Sequence, residues 1–199
     1  MENAIYTFNS FNEHAGDGVS QAISKFNPTG RKPIIICVGS DMILGDSLGP
    51  LVGTMLKRKN VSAYVYGTLT YPITAKEVNY AKKYLKLMHP DSVAVAVDAA
   101  VGNSDDVGLL RVLNRGLKPG IGVDKELDMI GDISIIGIVA SKSLKNYNLF
   151  NLTRLNLVYK MAEKIASGIE NYITGQSLVK RYLNSTGKGV PRGENSICR

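Results

Sequence analysis

Residues 33–50 read PIIICVGSDMILGDSLGP, and the order of residue types in this stretch decides the fold. From Ile34 to Val38 the chain is apolar without a break, and Gly39 then stops the run. A strand with one face in water alternates apolar and polar residues, whereas a strand covered on both faces does not. The run therefore reads as a central strand of a parallel sheet. A helix follows from near Ser47, carried by Leu51, Val52, Met55 and Leu56 as far as Lys59. Pro50 fits its first turn, where backbone N–H groups lack intrahelical partners anyway. Strand, glycine turn and helix in this order put Asp46 just beyond the carboxyl end of the strand. That edge is where ligands of open α/β sheets gather, most often where the strand order reverses.

Working outward in both directions, residues 1–16 read as polar and irregular, and Val19, Ile23 and Phe26 stand at helical spacing, predicting a short helix ended by Asn27-Pro28. Ser62 to Tyr66 alternates as a short strand near the sheet edge. Thr74 and Glu77 form the pattern of a capping box, opening a helix to about Met88. Val93 to Val97 is a second continuous apolar run, hence a second central strand, and it ends at Asp98. Val107 to Leu113 and Ile133 to Val139 read as two further strands, separated by the glycine-rich loop Gly116 to Val123. A long helix from about Leu149 to Tyr172 shows an apolar stripe through Leu152, Leu155, Val158, Ala162, Ile165 and Ile169, and a short helix after Gly175 reaches Asn184.

Strands alternating with helices predict an α/β fold: a three-layer α/β/α sandwich around a mostly parallel central sheet of about five strands. In a doubly wound sheet the strand at 33–38 lies between those at 62–66 and 93–97, with 107–113 and then 133–139 beyond. Residues 1–184 are expected to form one domain, and 185–199, with glycine, proline and charge but no periodicity, a mobile tail.

At 199 residues, 44% of them hydrophobic, the chain can bury a core without disulfides or metals to hold it. Its two cysteines are far apart, Cys37 inside an apolar strand and Cys198 next to the C-terminus, so no structural disulfide is expected and an intracellular, cytoplasmic address follows. Neither a secretory leader nor a membrane span is expected from the apolar runs. The net charge of +7 is concentrated at one end: residues 180–199 hold five basic residues against one acidic. The field left for the rest is weak, and no direct nucleic-acid partner is expected.

The chemistry centres on two aspartates at analogous points, Asp46 beyond the first central strand and Asp98 at the end of the second. If those strands flank the switch point, both carboxyls converge on one cleft. Two carboxyls in one site do not both ionise cheaply, so one stays protonated and the pair can act as acid and base, or can hold a divalent cation. Plainer roles fit the same positions: an aspartate before a helix caps it, and one closing a strand makes an Asx turn. Asp41, after the Gly39-Ser40 turn, fits a turn-stabilising role better than a chemical one. Between Gly39 and Gly49 there is neither GxGxxG nor GxxxxGK[ST], so a dinucleotide or P-loop site lacks its mechanical basis. Gly120 and Gly122, in the glycine-rich loop, would let a backbone approach a peptide or a phosphate. His14 and His89 read as surface histidines, Cys37 as a buried small hydrophobe, and the Tyr64/Tyr66 and Tyr80/Tyr84 pairs as packing.

The segments Val38-Gly39, Gly45-Asp46-Ser47-Leu48-Gly49-Pro50, Val95-Ala96-Val97-Asp98-Ala99, Lys118-Pro119-Gly120-Ile121-Gly122-Val123 and Ile136-Gly137-Ile138-Val139 occur in this order over roughly residues 33–140. In them the chain resembles the spore germination protease family and, more closely, the YyaC-type sporulation proteins related to it. The fold also looks like that of the hydrogenase maturation endopeptidases, in the wider phosphorylase/hydrolase-like class. The resemblance implies an aspartate-dependent endopeptidase of sporulation or germination that cleaves small acid-soluble spore proteins in the forespore or spore core. Asp46 and Asp98 match the two essential aspartates, with Gly120 and Gly122 lining the substrate groove. It also implies two alternatives. One is a catalytically silent sporulation protein that binds a partner, a homo-oligomer being one form. The other is a metal-dependent enzyme of the maturation type, with a divalent ion on Asp46 and Asp98. Residues 101–135 hold no histidine to supply a third ligand, so Asp124 or Glu126 would have to serve. No cofactor is otherwise implied.

Overall fold

The computed structural model describes residues 4–119, 129–142 and 153–186. In chain order its elements are β1 (Ile5–Asn9), α1 (Ala15–Phe26), β2 (Pro33–Cys37), α2 (Leu48–Arg58), β3 (Tyr64–Tyr66), α3 (Val78–Met88), β4 (Val93–Gly102), β5 (Leu109–Leu113), β6 (Ile133–Ser141) and α4 (Leu155–Thr186). Short 3-10 turns at Gly45–Ser47 and Ser104–Asp106 precede α2 and β5.

The strands form one sheet in the order β1-β5-β6-β4-β2-β3. Pairing is parallel from β3 through β2 and β4 to β6, and antiparallel from β6 to β5 and from β5 to β1. All five residues of β2 are buried, as its unbroken apolar run requires. On one face α1, α2 and α4 cover Ile35, Cys37, Val95, Val97, Ile133 and Ile135. On the other, Val78 and Leu85 of α3 cover Ile34, Ile36, Val38 and Ala96. The result is an α/β/α sandwich of three layers with a mostly parallel sheet.

Four details differ from the sequence-based expectation. The N-terminal segment, expected to be irregular, contributes edge strand β1: Tyr6 and Phe8 pack inward on the cluster that includes α1, while Ile5, Thr7 and Asn9 are exposed. An edge strand needs only one covered face, and its alternation is short enough to be lost among the polar flanks. The sheet therefore has six strands, not about five.

The order of the last two strands is also exchanged. β6, not β5, lies beside β4. Between the end of β4 and the start of β5 there is room only for the Ser104–Asp106 turn. A parallel crossover needs a dozen or more residues. β5 therefore runs antiparallel, one place further out, and the slot beside β4 is filled by the later strand.

β4 continues to Gly102, so Asp98 lies within the strand rather than at its end. Finally, α4 runs through Gly175 as one helix. Gly175 has open space where a side chain would stand, and a single helical glycine, at about 1 kcal/mol relative to alanine, does not stop a helix of this length. The expected helix start at Leu149 and the expected tail beyond Thr186 lie outside the described residues. Among the described residues no helix is long and apolar enough to cross a membrane.

Candidate functional site

The parallel strands β2 and β4 are neighbours, with β3 on the outer side of β2 and β6 on the outer side of β4. The chain thus departs in opposite directions from this pair, which makes the crevice above their carboxyl ends the switch point. Past Cys37, Val38 still donates its N–H to the Val97 carbonyl at 2.8 Å, and Gly39 donates to Ile73 at 2.9 Å. Gly39 then turns the chain at φ +136°, a conformation that strains any residue with a side chain. A Cβ at Gly39 would also collide with the carbonyl oxygen of Asp46, so the returning loop lies directly against the turn.

That loop is tied at several points. The Ser40 N–H donates to the Asp46 carbonyl at 3.2 Å, and the Ser40 hydroxyl accepts the Met42 N–H at 3.2 Å. Ser47 donates its hydroxyl to the Leu44 carbonyl at 2.6 Å. The expected cap at the start of α2 is absent: neither Asp46 nor Ser47 makes a side-chain cap bond. Asp46 sits instead in the 3-10 turn, partly exposed, with its carboxyl beside the Ser40 amide rather than on the helix N-terminus. Asp41 is exposed, and the turn is held by Ser40.

Asp98 reaches the same edge from β4. The register pairs Cys37 with Val97 on one side and Asp98 with Ile136 on the other. Alternation along β4 places Asp98 on the face of Ala96, the face covered by α3. It is only 8% exposed. Its Oδ1 accepts the N–H of Ala99 at 2.8 Å, a bond made within the strand rather than an Asx turn closing it.

Burial raises the Asp98 carboxyl to about 8, the Ala99 N–H works against the rise, and the charge of Asp46 adds to it. Asp46 is also raised by burial, less completely enclosed, with the Ser40 amide opposing. The two carboxyls are unequal because Asp98 is the more deeply enclosed. Asp46 loses its proton while Asp98 still holds its own, so it ionises beside a neutral neighbour, whereas Asp98 would have to ionise beside a charge. The pair therefore carries one proton at neutral pH.

Asp46 lies close enough to Asp98 for its charge to act on the Asp98 carboxyl. Gly120 and Gly122 lie outside the described residues, as do Asp124 and Glu126. The base of their loop is described: Leu117 exchanges backbone hydrogen bonds with Ile130 at 3.0 and 2.9 Å, and both side chains pack on the α3 face of the sheet with Ala96. Among the described residues no group of three or more His, Cys, Asp or Glu is arranged to hold a metal ion. If a divalent ion is held here, Asp46 and Asp98 are the oxygen donors in place for it.

Two further residues near the site were not anticipated. Ser134 pairs with Ala96, one step along β6 from the Ile136 that faces Asp98; it is fully buried and its hydroxyl has no hydrogen-bond partner. Arg111 pairs with Ile136 from the other side and forms an ion pair with Asp106 at 2.8 Å. A serine inside ISIIGIVA and an arginine inside LLRVL are polar interruptions of apolar runs, and that was the available signal. His89 is more than a surface residue, since its Nε2 lies 2.7 Å from the Tyr66 hydroxyl.

A family model described as "Protein of unknown function (DUF1256)" matches residues 6–168. The "Uncharacterized protein YyaC" of Bacillus subtilis (strain 168) is 39% identical to the chain over 141 residues, which cover 70% of this chain and 69% of that protein.

Proposed function

The chain belongs to the DUF1256 family, and we propose that it is an aspartate-dependent endopeptidase whose acid and base are Asp98 and Asp46. The observation that carries this reading is the enclosed Asp98 carboxyl at the switch point, raised to about 8 with a more open carboxylate beside it. Perturbed titration by burial and a specific charge partner, in a crevice, is how sites doing acid–base work are built.

The assignment of roles follows from which group keeps its proton. Asp46, ionised at neutral pH, takes a proton from a water molecule as it attacks the peptide carbonyl. Asp98, still protonated, donates to the carbonyl oxygen; as the intermediate collapses, Asp46 passes the proton it took from water to the departing amine, and Asp98 takes one back from the intermediate's hydroxyl, restoring the starting state. The motifs shared with the spore germination protease family support small acid-soluble spore proteins as substrates, and sporulation or germination as the setting.

The test is to incubate the purified protein with small acid-soluble spore proteins across a pH series and to follow fragments by mass spectrometry. Cleavage is expected along a bell-shaped profile whose alkaline limb falls near pH 8, as Asp98 ionises. Asp46→Asn and Asp98→Asn are each expected to abolish it while the fold is retained. Full activity in either variant refutes the assignment.

A further inference from the structure

The outer side of α3 is built unlike the outer side of an ordinary surface helix. Its inner face seats Val78 and Leu85 in the core, yet Tyr80, Tyr84, Leu87 and Met88, spaced to share the opposite side, are 74%, 44%, 80% and 55% exposed. Tyr80 and Tyr84 stack with their rings 12° from parallel and 6.4 Å apart between centroids.

The row continues around the edge of the sheet. Tyr66 of β3 is near enough to Tyr84 and Tyr64 for both to act electrostatically on its hydroxyl, which lies 2.7 Å from His89 Nε2. The centroid of the Tyr64 ring lies 4.5 Å from that of His89 and 5.1 Å from the Lys32 ammonium. Among the described residues β3 is the last strand on this side, so the row borders the outer edge of the described sheet. Lys83 and Lys86 stand exposed among these side chains, and between Val78 and Met88 there is no acidic residue.

We propose that this face of α3, with the adjoining edge of β3, docks an acidic segment of a partner protein that carries its own apolar anchors. Contiguous exposed apolar side chains on a soluble fold mark interaction surfaces, and tyrosines are favoured there because they bury large area with few rotatable bonds. The lysines set the sign of the partner. A second copy of this chain would bring the same lysines against themselves, so a partner of opposite charge fits better. The aliphatic Leu87 and Met88 have no part in stacking bases, and they favour apolar protein side chains over a single nucleic-acid strand.

The experiment uses the full chain and a fluorescent amphipathic peptide bearing Glu on one face and Leu and Phe on the other. The comparison probes are the same peptide with Lys for Glu, phosphatidylglycerol vesicles, and oligo-dT. Saturable binding of the Glu peptide alone is expected, weakened roughly tenfold or more by Lys83→Glu with Lys86→Glu, and similarly by Tyr84→Ser with Leu87→Ser. Circular dichroism confirms that these exposed substitutions leave the fold intact. Equal binding of the Lys peptide, tighter binding to vesicles or oligo-dT, undiminished binding by both double variants, or no binding of the Glu peptide overturns the proposal.

Discussion

Replacing Asp98 by asparagine should make this protein gain stability relative to the wild type as pH rises from about 4 to about 8.5. In the unfolded chain the carboxyl titrates near its ordinary value of 3.8, and in the fold at about 8. Between these values the native state holds a proton that the unfolded state has released. The stability contributed by the buried neutral acid is complete below the lower value and is lost as pH rises toward the upper one. Each pH unit in that window removes about 1.36 kcal/mol, so a rise of roughly four units sets a ceiling of about 5 kcal/mol. Water entry and relaxation around a buried carboxylate reduce this, and a loss of about 3 kcal/mol is the expected size.

Asparagine copies the shape of the protonated acid, keeps an oxygen for the Ala99 N–H, and does not titrate. Urea unfolding of both proteins at about pH 4 and about pH 8.5 isolates Asp98, because every other titrating group is common to the two. The variant should gain about 3 kcal/mol on the wild type between the two conditions, whatever offset the amide introduces at low pH. A difference that stays constant within about 0.5 kcal/mol would show that Asp98 is not held protonated by the fold, and the acid role would go with it.

Two substitutions test the surroundings. Gly39→Ala places a side chain at φ +136° and against the Asp46 carbonyl, and should destabilise by about 2 kcal/mol or more, read as a fall in Tm of roughly 4–8 °C. An unchanged Tm would mean that the turn is not seated on Asp46. Ser134→Ala removes a buried hydroxyl that has no partner, so stability should be unchanged or rise by up to about 1 kcal/mol, and a loss of more than about 1 kcal/mol would reveal a bond to that hydroxyl.

How far the sequence reveals this molecule depends on how completely each element's environment is determined by its neighbours in the chain. β2 and the first part of β4 are legible because a strand buried on both faces has no polar position to confuse the pattern. Their adjacency, and hence the convergence of Asp46 and Asp98, follows from the helix-containing connections that parallel strands require. β1 is obscured because three of its five residues face water and its neighbours are polar. The exchange of β5 and β6 is decided by the short link after Gly102, and strand length at that end depends on pairing with β6, which no local signal reports. The same extension of β4 hides the depth of Asp98. The tyrosines of α3 match core residues in type and spacing, and only the position of α3 over one half of the sheet shows that they point outward.

The two carboxyls are unequal because the elements that carry them differ in kind. Asp98 is fixed by strand register in the middle of a covered sheet, so its enclosure cannot be relieved by a local shift: moving it would break pairing with both β2 and β6. Asp46 rides on a single 3-10 turn at the rim, where part of its carboxyl meets solvent. Burial accordingly selects Asp98 to keep the shared proton, and the negative Asp46 reinforces that choice without having to overcome a second charge. Position at the rim depends in turn on the close seat of α2. A Cβ on Gly49 would strike the backbone of Val38, just as one on Gly39 would strike that of Asp46. The glycines bracketing GSDMILGDSLG therefore let the rim carboxylate come close to the buried acid, and an enlarged residue at either place would push the loop that carries Asp46 off the end of β2.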